Sequence, residues 1–262
     1  MGGFTLFFGG FLFTAGPKWL AVPAPQARDL LRPLALQSMG WLGWLAGGLL
    51  STQLALAGLA LATIGMTELY SRFWRLVRAS RSPDRLHAIL ACAAGALGVL
   101  AQTGTGILLW LDQIEFALLA VRTGLWGCVA TTFLLVAHRM LPFFTASALP
   151  SVTPWRPRWV LWLLLGIAAS EAMATWAPSM QPHAWQMTRA SRAWMLGWGL
   201  AELAAGSVLL WLAVTWGLVQ SLKVRLLAML HVGFAWFGLA LLLSGASQLL
   251  GLRHGVPLLG LG

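Results

Sequence analysis

The stretch Leu86–Leu111 reads LHAILACAAGALGVLAQTGTGILLWL and contains no aspartate, glutamate, lysine or arginine. A membrane hydrocarbon core of about 30 Å is crossed by roughly 20 apolar helical residues. The stretch is long enough for one crossing, and charged residues flank it, since Arg85 precedes it and Asp112 follows it. It therefore predicts a transmembrane helix.

The composition extends this prediction to the whole chain. The 262 residues are 59% hydrophobic and 9% charged, whereas soluble chains are about a quarter charged. The net charge of +10 comes from basic residues between the apolar runs, which is typical of membrane anchors and does not indicate nucleic-acid binding. Two cysteines exclude a disulfide scaffold. Soluble-enzyme motifs such as His-Glu-x-x-His and Gly-x-Ser-x-Gly do not occur.

Eight apolar runs predict an all-α, polytopic transmembrane helical bundle of about eight spans, forming a single domain over residues 1–262. The first basic residue is Lys18, so we expect the first run to be retained and not cleaved as a signal peptide. Gly47, Gly48, Ser51 and Thr52 predict a tight hairpin between the second and third runs. The expected spans are 3–22, two spans within the stretch 34–73, and then 86–111, 114–137, 159–177, 194–219 and 224–250.

Basic residues are distributed unevenly between the two faces that alternating spans define. The connections after spans one, three, five and seven hold most of the 17 lysines and arginines, whereas the opposite face holds Arg189, Arg192 and Arg253. Lysine and arginine concentrate in cytoplasmic loops of membrane proteins. The basic face is therefore predicted to be cytoplasmic, and the connection with Asp112 and Glu115 is predicted to face outward.

Three ionisable residues fall inside predicted spans at a similar depth. Arg122, Glu171 and Glu202 each lie roughly 10 to 12 Å from the outer face at 1.5 Å per residue. Because a charge inside the bilayer needs a partner, we expect Arg122 to pair with one or both carboxylates in the bundle interior. The pair can be a structural tie between helices, an anion or haem-propionate site, or part of a proton path.

Three histidines lie near the predicted cytoplasmic face. His231 lies inside the eighth span, while His87 and His138 lie at the inner ends of the fourth and fifth. Imidazoles that face each other across helices can hold a haem. The alternative is that these histidines make hydrogen bonds at the interface.

The connection between spans six and seven contains Met180, His183 and Met187. Thioether and imidazole groups suit copper, especially Cu(I). The alternative is that the methionines are soft apolar packing residues. Cys92 and Cys128 are interpreted as small packing residues.

Three segments resemble the NnrS family and occur in that family's order. Phe11–Trp19 (FLFTAGPKW) resembles the turn that closes its first span, and Arg139–Thr145 (RMLPFFT) resembles its Arg-x-x-Pro-Phe-Phe-Thr segment. Leu230–Trp236 (LHVGFAW) is similar to its His-x-Gly/Ala-aromatic-Ala-Trp segment. His231 and Arg139 are the matching polar residues. Arg139 is expected at a helix end, where it can cap carbonyls or hold an anionic ligand.

The resemblance implies a multi-pass protein of the bacterial inner membrane that carries haem and copper. It further implies a link to nitric-oxide metabolism or to defence against nitrosative stress. Family members are typically longer, with histidine-containing segments before and after the part matched here. This chain is therefore expected to be shortened at both ends or to bind fewer metals.

Two other functions are consistent with the sequence. A transporter or channel without a cofactor can use Arg122, Glu171 and Glu202 along an ion or proton route. A scaffold or assembly subunit can use the same residues only as ties between helices.

Overall fold

The computed structural model of the chain describes residues 2–148, 155–177 and 189–254. Every regular element in these ranges is helical, as the apolar runs predict, and a π-helix at Leu125–Ala130 joins two α-helices. The α-helices are α1 (Gly2–Leu20), α2 (Ala27–Leu50), α3 (Thr52–Ala79), α4 (Leu86–Trp110), α5 (Ile114–Gly124), α6 (Thr131–Ala148), α7 (Arg158–Ala174), α8 (Arg189–Thr215), α9 (Leu218–Ser221) and α10 (Arg225–His254).

Each predicted apolar run corresponds to helical structure, but the predicted number of about eight spans is not confirmed. Within the described ranges, five helical stretches are long and apolar enough to cross a membrane: Thr52–Ala79, Leu86–Trp110, Ile114–Ala148, Arg192–Thr215 and Leu227–Gly251. The helix α7 has 17 residues, which is about 26 Å at 1.5 Å per residue and shorter than a hydrocarbon core of about 30 Å.

Several predicted boundaries are wrong, since α2 begins at Ala27 and α3 continues to Ala79. Two further ends have a clear physical cause. The fifth run was expected to end at Ala137, yet its helix continues through Pro142 to Ala148. A helix passes through proline at the cost of one backbone hydrogen bond, here the bond to the His138 carbonyl. The seventh run was expected to reach Val219, but α8 ends at Thr215, because Gly217 adopts a left-handed φ of 101°.

The chain divides into two compact units. The first comprises Met1–Leu135 and Leu164–Thr175, and the second comprises Val136–Leu163 and Trp176–Gly262. Each unit has its own buried apolar side chains. The assignment of residues 1–262 to one domain stays a prediction.

In the first unit, α2 and α3 form the tight hairpin that the sequence predicts. Ser51 alone connects them, and its hydroxyl accepts a hydrogen bond from the Leu54 amide. Small residues line the interface, so that a Cβ at Gly40 would collide with the Ala62 backbone and one at Gly47 with the Ala55 backbone. Such small residues let membrane helices approach closely.

The helix α1 packs on α3 through the first of the three family-like segments. A Cβ at Gly16 would lie within 2.5 Å of the Phe73 ring. The hydroxyl of buried Ser80 donates to the Leu20 carbonyl at 2.6 Å, which satisfies an orphan carbonyl at the end of α1. The segment Phe11–Trp19 is therefore a packing segment in this unit.

A second close approach surrounds α4. The Tyr70 ring lies against Gly95, and Cys128 Sγ and Met66 Cε each lie 2.6 Å from the position that a Cβ at Gly98 would occupy. The thiol of Cys128 comes from the π-helix, a segment type that is frequent at functional sites. Cys128 is buried, and both cysteines are free thiols.

In the second unit, α8 and α10 pack against each other along four glycines that we call the glycine seam: Gly199 and Gly206 on α8, and Gly238 and Gly245 on α10. A Cβ at Gly206 would lie 2.6 Å from the Gly238 carbonyl oxygen, and one at Gly245 would lie 2.5 Å from the Gly199 carbonyl oxygen. The pairing order shows that the two helices are antiparallel. The seam brings two backbones into direct contact.

Large apolar side chains cover much of the outer surface. Leu49 is 89% exposed, Met229 73% and Leu100 68%. An apolar surface of this extent is unfavourable in water but matches the chemistry of lipid tails. The surface thus supports a lipid bilayer as the environment of the helices.

Candidate functional site

His231 lies in α10 and is completely buried, with 0% of its surface exposed. Its Nδ1 atom lies 3.0 Å from the Leu227 carbonyl oxygen, one turn earlier. Its Nε2 atom lies 3.2 Å from the Trp216 carbonyl oxygen and 3.2 Å from Thr145 Oγ1. The imidazole therefore joins α6, the segment after α8, and α10; we call this group of residues the His231 junction.

The end of α8 explains why a carbonyl oxygen is available to His231. The last carbonyls of a helix have no intrahelical partner. The chain leaves the helix at Gly217, whose left-handed φ of 101° suits glycine because glycine has no Cβ. The Trp216 carbonyl oxygen then lies within hydrogen-bonding distance of the imidazole of α10, 3.2 Å from His231 Nε2.

The Trp216 side chain fixes the surroundings of the junction. Its Nε1 donates to the Trp155 carbonyl at 3.0 Å. Its ring lies 5.2 Å from the Phe234 ring and 6.3 Å from the His138 ring, measured between centroids. Both His138 and His231 thus contact Trp216, the first through the indole and the second through the backbone carbonyl.

The hydrogen-bonding groups around His231 are mostly acceptors. The Thr145 hydroxyl donates to the Leu141 carbonyl at 2.9 Å, so its proton is already used. A neutral imidazole has one N–H and can satisfy one of the two carbonyls at a time, whereas an imidazolium can satisfy both. The junction can therefore hold a proton at either ring nitrogen.

His138 and Arg139 lie inside α6 and not at a helix end. His138 is buried, and its Nε2 lies 3.2 Å from the Pro157 carbonyl oxygen. Arg139 is half-buried, and α6 continues to Ala148 beyond it. The expectation that Arg139 caps the last carbonyls of a helix is therefore wrong, because Pro142 does not end the helix.

Glu202 forms a second buried polar cluster, on α8. The residue is 4% exposed, and its carboxylate accepts from Trp198 Nε1 at 3.2 Å and from Gln248 Nε2 at 2.9 Å. The Ser244 hydroxyl is a further hydrogen-bond partner. Neutral donors from α8 and α10 therefore hold this carboxylate.

The other predicted members of the charge cluster lie on α5 and α7. Arg122 is exposed on α5, although the sequence predicted a place in the bundle interior. Glu171 is buried on α7, with 7% of its surface exposed. The pairing of Arg122 with Glu171 or Glu202 stays a prediction.

His87 and the methionine-rich connection are the remaining predicted sites. His87 is buried in the first turn of α4, in the first unit, and its cofactor role stays a prediction. Met180, His183 and Met187 lie outside the described residues. Within the described ranges, no three side chains among His, Cys, Asp and Glu are grouped so that they could hold a metal ion.

Sequence reasoning missed an ion-pair network on α2 and α3. The Glu68 carboxylate forms ion pairs with the guanidinium groups of Arg72, at 2.9 Å, and Arg32, at 3.0 Å. The Glu68–Arg72 spacing of four residues on a helix indicates the first pair. The pair with Arg32 depends on the α2–α3 hairpin and was not visible in the local pattern.

The apolar surface, the long helices and the buried polar clusters define a polytopic helical membrane protein. The family model described as NnrS protein matches residues 1–262. The chain therefore belongs to the NnrS family, as the three segments predict. Among curated proteins and solved structures, none matches this chain.

Proposed function

We propose that this protein acts in nitric-oxide metabolism or nitrosative-stress defence in the bacterial inner membrane, with the His231 junction as its functional centre. The observation that carries the proposal is the 3.2 Å contact between Thr145 Oγ1 and His231 Nε2. Thr145 ends the second family-like segment, and His231 belongs to the third. Family membership supports the proposed link to nitric oxide, and this contact supports the choice of the His231 junction as the proposed centre.

The family resemblance implies haem. The imidazoles of His138 and His231, as the structure places them, do not fit a haem held between them. An axial ligand must offer a ring-nitrogen lone pair to the metal. His231 Nε2 faces the Trp216 carbonyl, and the buried His231 ring leaves no open face. His138 in turn contacts the Trp216 indole. We therefore assign no step through haem to these two residues, and we assign His231 to hydrogen bonding that joins α6, α10 and the segment after α8.

Copper is proposed on separate residues. Met180, His183 and Met187 have the ligand chemistry that Cu(I) prefers. They lie outside the described residues, so this assignment rests on sequence and family alone. Metal analysis of the purified chain, compared with a variant carrying Met180→Leu, His183→Ala and Met187→Leu, is the direct test.

We expect His231→Ala to abolish protection against a nitric-oxide donor. The test measures growth of a bacterium that lacks its own NnrS gene and expresses each variant, with membrane levels checked by immunoblot. Thr145→Val keeps the side-chain shape but removes the hydroxyl, so a partial loss of protection is expected. Gly233→Ala is the matched control, because nothing lies within 4 Å of its added Cβ, two residues from His231.

The proposal would be contradicted if His231→Ala were present in the membrane at the wild-type level and protected cells as well as the wild-type protein does. Loss of protection in the Gly233→Ala control would also contradict it. That outcome would show that any change in this segment of α10 disturbs the protein.

A transporter is the second candidate function, and Glu202 is the observation that favours it. Buried carboxylates within membrane spans are costly and commonly mark ion or proton pathways, and neutral donors hold this one. If the protein conducts protons, Glu202→Gln is expected to abolish a pH-driven flux in liposomes while leaving protein incorporation unchanged. Equal flux in the two proteins, or none in the wild type, excludes this function.

A further inference from the structure

An apolar crevice of about 370 Å³ lies between α3 and α4 in the first unit. Leu59, Thr63 and Ile64 line it from α3, and Gln102, Gly106 and Trp110 line it from α4. Clefts of about 300 to 1,000 Å³ with a few polar groups are typical of small-molecule sites. The crevice has the size of such a site and lies on the surface of candidate membrane-spanning helices.

One polar group in the crevice is left unsatisfied. Gln102 is 6% exposed, and its buried Nε2 has no hydrogen-bond partner in the part of the chain that the structure describes. The hydroxyls of Thr63 and Thr103 donate to the Leu59 and Val99 carbonyls on their own helices. A buried amide without a partner is unfavourable by a few kcal/mol, roughly, so a ligand with a matching polar atom would bind there favourably.

The depth of Gln102 narrows the chemistry of that ligand. Gln102 lies eight residues before Trp110 on α4, or about 12 Å along the helix axis. Trp110 is 73% exposed at the helix end, where tryptophan prefers the membrane interface. The hydrocarbon half-thickness is about 15 Å, so the carboxamide is near mid-membrane. Phospholipid ester groups belong to the interface, and acyl chains at this depth offer no hydrogen-bond acceptor.

We propose that this crevice binds the ring of a lipid-soluble quinone or its quinol. A quinone ring is neutral and apolar on its faces, and its carbonyl oxygen can accept a hydrogen bond from the Gln102 amide. The same carboxamide can accept a hydrogen bond from a quinol hydroxyl, so both oxidation states are recognised. A Cβ at Gly106 would lie 3.5 Å from Leu59 Cδ2, in ordinary van der Waals contact across the crevice, so a larger side chain at this position would extend into the crevice.

The test is equilibrium binding of a benzoquinone with a ten-carbon tail to the full chain in lipid nanodiscs. Tryptophan fluorescence quenching, corrected with empty nanodiscs, reports the bound fraction. Wild-type protein is expected to bind the quinone saturably, with close to one molecule per chain. Gln102→Leu is expected to weaken binding by about fivefold or more, as the loss of one hydrogen bond predicts. Gly106→Leu is expected to abolish binding by filling the crevice.

Gln37→Leu is the matched control. Gln37 on α2 is 1% exposed and both its amide atoms lack a hydrogen-bond partner among the described residues, yet it does not line the crevice. Its variant is expected to bind the quinone as the wild type does. Equal affinity of Gln102→Leu and wild type, or equal weakening by Gln37→Leu, would overturn the proposal. Retention of phospholipid that depends on Gln102, without saturable quinone binding, would overturn it as well.

Discussion

Gly47→Leu is expected to prevent the α2–α3 hairpin from closing and to remove most of the folded protein. A side chain at position 47 would collide with the backbone of Ala55 and Leu54. Backbone atoms cannot move aside as the end of a flexible side chain can. Because Ser51 alone joins the two helices, they also cannot separate at this point. We expect a destabilisation of about 3 kcal/mol or more.

The adjacent glycine provides the control for this prediction. Gly48 is exposed, and nothing lies within 4 Å of an added Cβ. Gly48→Leu therefore adds the same side chain one residue later and is expected to change the free energy of unfolding by less than about 0.5 kcal/mol. The measurement is monodisperse yield and thermal unfolding in detergent. Similar yields for the two variants would show that the helices are not in backbone contact.

Gly206→Leu is expected to break the glycine seam between α8 and α10. The added Cβ would lie 2.6 Å from the Gly238 carbonyl oxygen and 2.8 Å from the Leu242 backbone nitrogen. The helices would have to move apart, and the Glu202–Gln248 hydrogen bond of 2.9 Å would be lost with the seam. We expect about 3 kcal/mol of destabilisation. We also expect altered fluorescence of Trp198, because its Nε1 donates a hydrogen bond to the same Glu202 carboxylate.

Gly197→Leu is the matched change on the same helix. Gly197 is exposed, and nothing lies within 4 Å of its added Cβ. Unfolding temperature and yield close to those of the wild type are expected for this variant. If Gly197→Leu were as damaging as Gly206→Leu, then leucine would be harmful anywhere on α8, and the seam would not be the cause.

The helices themselves could be predicted from the sequence because apolar runs of span length leave few alternatives in lipid. Their ends were harder to predict. Arg139 was expected at the end of a span, yet a membrane helix tolerates one proline, and α6 continues through Pro142 to Ala148. Gly217 ends α8 early, but glycine also occurs within helices of this chain, so its left-handed conformation was not evident.

The site could be predicted only in part. The family-like segment around His231 indicated the residue, but its partners come from α6 and from the segment after α8. Thr145 and Trp216 lie far from His231 in sequence, so no local spacing connects them. Trp216 contacts both imidazoles, through its ring and its backbone carbonyl, and a pattern of histidines alone could not indicate that contact.

The single-residue connection at Ser51 has a consequence for how the protein is made. The helix α3 is apolar enough to enter a bilayer by itself, whereas α2, which begins near Arg28, Asp29 and Arg32, is not among the five candidate spans. With one residue between them, the two helices are close enough to enter a bilayer as a pair. We therefore expect stable insertion of α2 to require the synthesis of α3, although α2 comes first in the chain.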